Sequence, residues 1–232
     1  MNTHLAVLST SLALLATAPA AVVISEFLPN PPGVDPTSQT IELSGNPNEA
    51  YSGFLSTIEM DSNVAIGTID RQTMIAGNLN ANGFFAVDIS DLENPSFTLL
   101  FHSADGGGTG TDLDTADDGT LDSIVSLGTI FDAISIPDTG ADVSTYGVQL
   151  GGQDFSFGAS ATGVAFRDGN TGAWLSSNDS GSGVRALNGD DAGFVGDFTT
   201  PTFGAANPAI PEPSSALLGL LGMMFALVLR RR

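Results

Sequence analysis

The 232-residue chain has no cysteine and no lysine, and its only histidines are His4 and His102. Without cysteine there is no disulfide and no thiol nucleophile, so a domain of this size must hold itself by packing, hydrogen bonds or metal. Without lysine no phosphate-cradling loop ending in Gly-Lys-Ser or Gly-Lys-Thr is available. His4 lies in the N-terminal apolar segment, which leaves His102 as the one imidazole for a zinc site or a serine–histidine pair, and its place in the sequence reads as a strand end or loop. No Gly-x-Ser-x-Gly elbow opens a helix: Gly181-Ser182-Gly183 is too short and sits in a polar stretch. Carboxylates that could serve as glycosidase acids are so numerous that no pair stands out. These absences lead us to expect a protein that is not an enzyme. The single tryptophan, Trp174, reads as core or as an edge anchor whose indole N–H needs a partner.

Basic residues are nearly absent as well. The chain holds 26 acids against six arginines, and three of those arginines are the last three residues. Residues 21–211 carry 25 acids and only Arg71, Arg167 and Arg185, a formal charge of −22. Phosphate backbones are held by Lys and Arg that displace counterions, so this body is not a nucleic-acid binder. Divalent cations or basic partners are the charged ligands that fit. Disorder does not follow from the acidity, because 42% of the residues are hydrophobic and fourteen phenylalanines supply material for a core.

What is present reads as β-sheet. Twenty-eight glycines and twelve prolines punctuate short runs rich in Val, Ile, Phe and Thr. We expect strands at residues 22–28, 40–44, 54–60, 84–88, 96–101, 124–127, 133–136, 146–150 and 163–167. In 40–44, Ile41 and Leu43 alternate with Glu42 as a half-buried strand requires. The breakers Pro29-Asn30-Pro31-Pro32-Gly33 and Asn82-Gly83 fall between runs. No interior stretch keeps a helical apolar period for three turns, so the class is an all-β sandwich.

Two segments resemble a known family. The opening VVISEFLPNPPGVDPTSQTIELSG is similar to the start of a lamin-tail domain, with Ile24, Ser25, Glu26, Asn30, Pro31, Ile41, Glu42 and Leu43 carrying the match. Near the other end, residues 200–207 (TPTFGAAN) are similar to the Thr-Pro-Gly-x-x-Asn that closes many bacterial members, with Phe203 interrupting the Pro-Gly. The resemblance implies an immunoglobulin-like β-sandwich over residues 21–208 that serves for binding or attachment. It leaves residues 102–160 unassigned. Read on their own, Glu26 and Glu42 are solvent-facing residues of paired strands.

One interior loop carries a candidate ligand set. Asp112, Asp114, Asp117, Asp118 and Asp122 crowd a stretch that follows the glycines 106–108. Closely spaced carboxylates with Gly119 at a sharp turn suit Ca²⁺, for which Asp112, Asp114, Asp118 and Asp122 are the candidate ligands. Counted from Asp114, however, an EF-hand-like loop has Ala116 at position three and Val125 in place of the bidentate acid at twelve. A calcium-dependent module for carbohydrate or protein is the alternative function this loop offers; a solvated acidic loop is the plain one.

The two ends are addressed to membranes. Residues 5–18 form an apolar run of signal-peptide length, and Ala18-Pro19-Ala20 sets small residues where signal peptidase reads, giving a leader of residues 1–20. Residues 209–232 end the chain with Pro211-Glu212-Pro213, an uncharged apolar run over 216–229, and Arg230-Arg231-Arg232. The prolines keep Glu212 on an extended segment, and Ser214 can cap the following helix. A helix apolar all round belongs in lipid, and the arginines stop transfer and stay cytoplasmic, leaving the acidic body outside. Fourteen residues rise about 21 Å, short of the roughly 30 Å hydrocarbon core, so the span suits a temporary hold. This tripartite tail closely resembles the PEP-CTERM sorting signal. The resemblance implies recognition at Pro211, Glu212 and Pro213 by an exosortase, with Arg230, Arg231 and Arg232 as the stop. It further implies deployment in the envelope or exopolysaccharide matrix of a Gram-negative bacterium, among polysaccharide or other surface proteins.

Overall fold

The computed structural model describes residues 21–29, 36–61, 65–90, 92, 96–137, 144–156, 162–178, 183–193, 198 and 200–210. The leader with Ala18 and Ala20, the turn residues 30–33, and the tail with Pro211, Glu212, Pro213 and the arginines 230–232 lie outside them. Among the described residues no helix is long and apolar enough to cross a membrane.

Among the described residues eleven strands form two sheets: β1 (Val23–Phe27), β2 (Ser38–Ser44), β3 (Ala50–Glu59), β4 (Ile69–Asn78), β5 (Phe84–Ser90), β6 (Phe97–His102), β7 (Ile130–Ile136), β8 (Gln153–Asp154), β9 (Thr162–Arg167), β10 (Trp174–Asn178) and β11 (Val184–Ala186). One sheet has the order β11-β10-β9-β1-β2-β5 and the other β4-β3-β6-β7-β8. Every pairing is antiparallel except β7 with β8. The expected all-β class holds, with the sheets packed face to face.

The core between them follows from strand alternation. Ile24, Phe27, Ile41, Leu43 and Trp174 point inward from the six-stranded sheet, and Leu55, Phe97, Leu99, Phe101, Ile134 and Ile136 from the five-stranded one. Trp174 packs edge-on to Phe27 at 5.8 Å and to Phe155 at 6.5 Å. Both outer faces are also covered. Loop residues Leu113, Leu127, Tyr146 and Leu150 close over Ile58, Leu100 and Ala133 of the five-stranded sheet. On the opposite side Phe198 packs on Phe166 at 4.4 Å beside Val164 and Ile210. The long middle of the chain is accommodated by a second apolar cluster on the outer face of the five-stranded sheet.

Two of the expected strands are turns. Residues 146–150 alternate Tyr, Val and Leu like a strand, yet Leu150 N–H donates to Tyr146 O at 3.0 Å. Tyr146 and Leu150 therefore face the core while Val148 is 62% exposed. Residues 124–127 contain a 3₁₀ turn, Val125–Leu127, with only Leu127 buried. The strands β4, β8, β10 and β11 were not expected. β4 and β11 are sheet edges, where one side of the strand is open and polar residues interrupt the pattern. The Asn82-Gly83 turn is real: Gly83 has φ +85°, and a Cβ there would stand 2.3 Å from Gly45 O.

An ion pair buried at its Asp132 end and part-exposed at Arg167 ties the sheets together. Asp132 on β7 accepts from Arg167 Nη2 at 2.7 and 2.8 Å and from Ile24 N at 3.0 Å, so one carboxylate holds β9 and β1 of the facing sheet. Arg167 also donates to Ile24 O and Gly172 O, each at 2.8 Å, and lies 4.5 Å above the Trp174 ring. Trp174 Nε1 itself has no hydrogen-bond partner. Burial raises the Asp132 carboxyl, opposed by the Arg167 charge. Removing one partner of such a pair leaves a desolvated charge. Asp132→Ala is expected to cost about 2–3 kcal/mol, read from the urea unfolding midpoint.

Candidate functional site

The most heavily constructed polar site lies on the outer face of β1 and β2. Glu26 and Glu42 are register partners and both are 0% exposed. The register slips between Ile24 and Glu26, so Ser25 and Glu26 both lie against Glu42. Ser25 Oγ donates to Glu42 Oε1 at 2.6 Å. The remaining donors come from the C-terminal segment, residues 200–210. Thr202 N–H reaches both Glu26 oxygens at 3.0 Å, and Gly204 N–H reaches Glu42 Oε2 at 2.5 Å. Thr202 Oγ1 stands between Glu26 Oε2 at 3.2 Å and Asn207 Oδ1 at 3.0 Å, with one proton to give. Asn207 Nδ2 then donates to Ser25 O and Arg167 O, both at 3.0 Å, which fastens the segment to β1 and β9. Farther along, Ile210 N–H donates to Asp168 Oδ2 at 2.6 Å, and Asn170 Nδ2 donates to Ile210 O at 3.2 Å.

The reading of Glu26 and Glu42 as solvent-facing is thus corrected. Alternation put Glu42 on the outer face correctly, but the strap of residues 200–210 covers that face. The covering donors are Thr202, Gly204 and Asn207 of the segment 200–207. Burial pushes the Glu26 carboxyl up to about 7, against the Thr202 N–H, and the Glu42 charge adds to the rise. Burial raises Glu42 too, opposed by the Ser25 and Gly204 donors. The carboxyl of Asp168 is held low by the N–H groups of Ile210, Thr171 and Asn170, which outweigh its burial.

The acidic loop folds around Asp114 rather than around an open centre. Asp114 is buried, and its carboxylate accepts from Gly119 N at 2.8 Å, Asp118 N at 3.2 Å and Tyr146 Oη at 2.9 Å. Asp112 Oδ1 accepts from Asp114 N at 2.9 Å, Asp118 Oδ1 from Thr120 N at 3.0 Å, and Asp122 Oδ2 from Thr115 Oγ1 at 2.6 Å. The four residues expected as calcium ligands lie in one loop, where each carboxylate accepts a hydrogen bond from the loop itself, Asp114 also from Tyr146. Among the described residues no group of three or more His, Asp or Glu is placed to hold a metal ion.

His102 is the last residue of β6, fully buried. Its Nε2 lies 2.8 Å from Ser56 Oγ, a pairing across β3 and β6 that the sequence did not disclose. Burial lowers the imidazole and keeps it neutral. Ser56 is 1% exposed, so this hydroxyl and imidazole meet no substrate from solvent and act as core polar partners.

Fold and site together define a two-sheet β protein closed by a C-terminal strap over paired carboxylates. Comparison with family models, characterised proteins and solved structures finds no match.

Two outcomes are expected here. The Glu26 carboxyl titrates at 4.5 when unperturbed and at about 7 in the fold, so the native state holds the extra proton between those values. Its stabilising contribution is full below that window and is lost as pH rises through it. Glu26→Gln has no such loss, so it should gain roughly 3 kcal/mol relative to wild type between the bottom and top of the window, measured by urea unfolding at each pH. Asp114→Ala orphans three donors and should cost about 3 kcal/mol, while millimolar calcium leaves the melting temperature of the wild type unchanged.

Proposed function

We propose that the chain is a non-catalytic exported surface or matrix protein, sorted by its tail and processed there by an exosortase. The observation that carries this reading is the order of the last 22 residues: Pro211-Glu212-Pro213, the apolar run 216–229, and the terminal arginines. Each part has its own physical task, namely an extended recognition segment, a lipid-seeking helix and a stop to transfer. The leader ending Ala18-Pro19-Ala20 supplies the export that such a tail requires.

In this reading the body is a lamin-tail-like, immunoglobulin-like sandwich used for attachment. Support comes from the residues that carry the resemblance. Ser25, Glu26 and Glu42 of the opening segment and Thr202, Gly204 and Asn207 of the closing one meet in a single hydrogen-bonded site. A sequence similarity at two points 160 or more residues apart thus coincides with one piece of architecture. The acidic surface suits a hydrated, anionic matrix better than a nucleic acid. The partners that follow are signal peptidase, exosortase, the membrane during transit, and polysaccharide or other surface proteins afterwards.

Mass spectrometry of the mature protein from its native host tests the proposal. The wild type should lack Arg232 and end near Pro211-Glu212-Pro213, whereas Glu212→Ala should keep the full tail. Intact Arg232 throughout the mature wild-type pool would overturn it.

A further inference from the structure

The ends of the sandwich differ in charge, and the chain leaves it from only one of them. β1 begins at this end with Val23, and the strap finishes there at Ile210, tied to Asp168 and Asn170 in the β9–β10 turn. Ala21 and Asn207 line one cavity of about 320 Å³, so the two chain ends meet. The β2–β3 and β4–β5 turns close the same end, joined by Gly45 N–H to Gly83 O at 3.0 Å, with Asn80 Nδ2 donating to Gly204 O at 3.3 Å.

This end is amide-rich, and its exposed acids among the described residues are Asp190 and Asp191. Asn46, Asn48, Asn78, Asn80, Asn82 and Asn170 are all exposed there. Of its acids, Asp168 is buried under N–H donors, and Glu49 accepts from Asn46 N and Nδ2 at 2.9 and 3.0 Å. Asp190 and Asp191, both exposed, stand to one side at the β11 edge, where the backbone of Asp191 pairs with that of Arg185. The opposite end holds the acidic loop, bonded to the β3–β4 turn by Leu113 N–H to Gly67 O at 3.0 Å, with Asp117, Asp118 and Asp122 exposed. Ten-residue strands such as β3 and β4 separate the two ends by about 33 Å.

We propose that the asparagine-rich end is the face the sandwich sets against an anionic phospholipid bilayer while the precursor is tethered, an inference that rests on the sorting-tail reading above. Two arguments carry it. Only residues 211–215 separate Ile210 from the apolar run, which allows about 20 Å at full stretch. A body held so close must turn some face to the lipid, and the tether attaches at this one. A like-charged surface is repelled within a Debye length of about 10 Å, and the acidic loop at the far end stays beyond that range. Exposed amides can donate to lipid phosphates where carboxylates cannot.

The absence of cysteine makes the test clean. The full chain, carrying either Asn82→Cys or Ala116→Cys with a donor dye, is reconstituted in phosphatidylcholine–phosphatidylglycerol vesicles bearing a headgroup acceptor. Neither side chain makes a described hydrogen bond, so both variants should fold as wild type, checked by the melting temperature. Energy transfer from position 82 should exceed that from position 116 by about twofold or more, given the length of the sandwich. Equal transfer, or more from position 116, overturns the inference while leaving the tail reading intact. A chain that fails to float with the vesicles overturns the tail reading itself, and the docking face with it.

Discussion

Everything on the outer face of the six-stranded sheet depends on one constraint: two carboxylates buried side by side must be given donors. Leaving Glu26 or Glu42 dry and unpaired would cost several kcal/mol, more than most single contacts in a fold supply. The strands cannot meet the need, since their own N–H groups are spent on the ladder and only Ser25 is near enough to help. The donors have to come from elsewhere, and the backbone of residues 202–204 provides them. Ile210 then packs with Phe198 against Val164 and Phe166 in one apolar cluster, so the strap is held by packing and by charge together. Partial protonation of Glu26 near neutral pH eases the proximity of the two acids.

The same logic recurs elsewhere in the molecule. Asp132 fastens one sheet to the other through Arg167 and Ile24 N–H, and Asp114 gathers the longest loop onto Tyr146. Each is an acid withdrawn from water and surrounded by N–H or O–H groups. In a chain without disulfides these three carboxylate centres fix the three places where alternation alone would leave the chain loose: the strap, the sheet-to-sheet register and the acidic loop. The strongly negative composition is thus partly structural rather than wholly a surface property.

Much of the architecture was legible because strands with one buried face leave a two-residue rhythm, as in Ile41 and Leu43. Edge strands do not, which is why β4, with Asp70, Arg71, Gln72 and Thr73 in its first half, went unseen. Tyr146, Val148 and Leu150 misled for the opposite reason: alternation over five residues also fits one helical turn that shows its ends to the core. The carboxylate site was only half visible. Sequence pattern singles out Glu42 as outward-facing but carries no sign that another segment, far along the chain, will cover it. The aspartates of the acidic loop point to a cation by composition, because ligand chemistry and turn chemistry use the same residue; that Asp114 gathers N–H and O–H donors within the fold was not legible from the spacing.

The strap has a consequence for the order in which the protein can be built. Thr202 meets Glu26 across 176 residues of chain, and Asn207 meets Ser25 across 182. Contacts of such separation bear a heavy loop-closure cost and form late. A chain emerging from its N-terminus therefore carries β1 and β2 with their acids still facing water through nearly the whole of synthesis. The sheet cannot be sealed until the final residues of the body have arrived, so maturation of the first strand is timed by the last segment made.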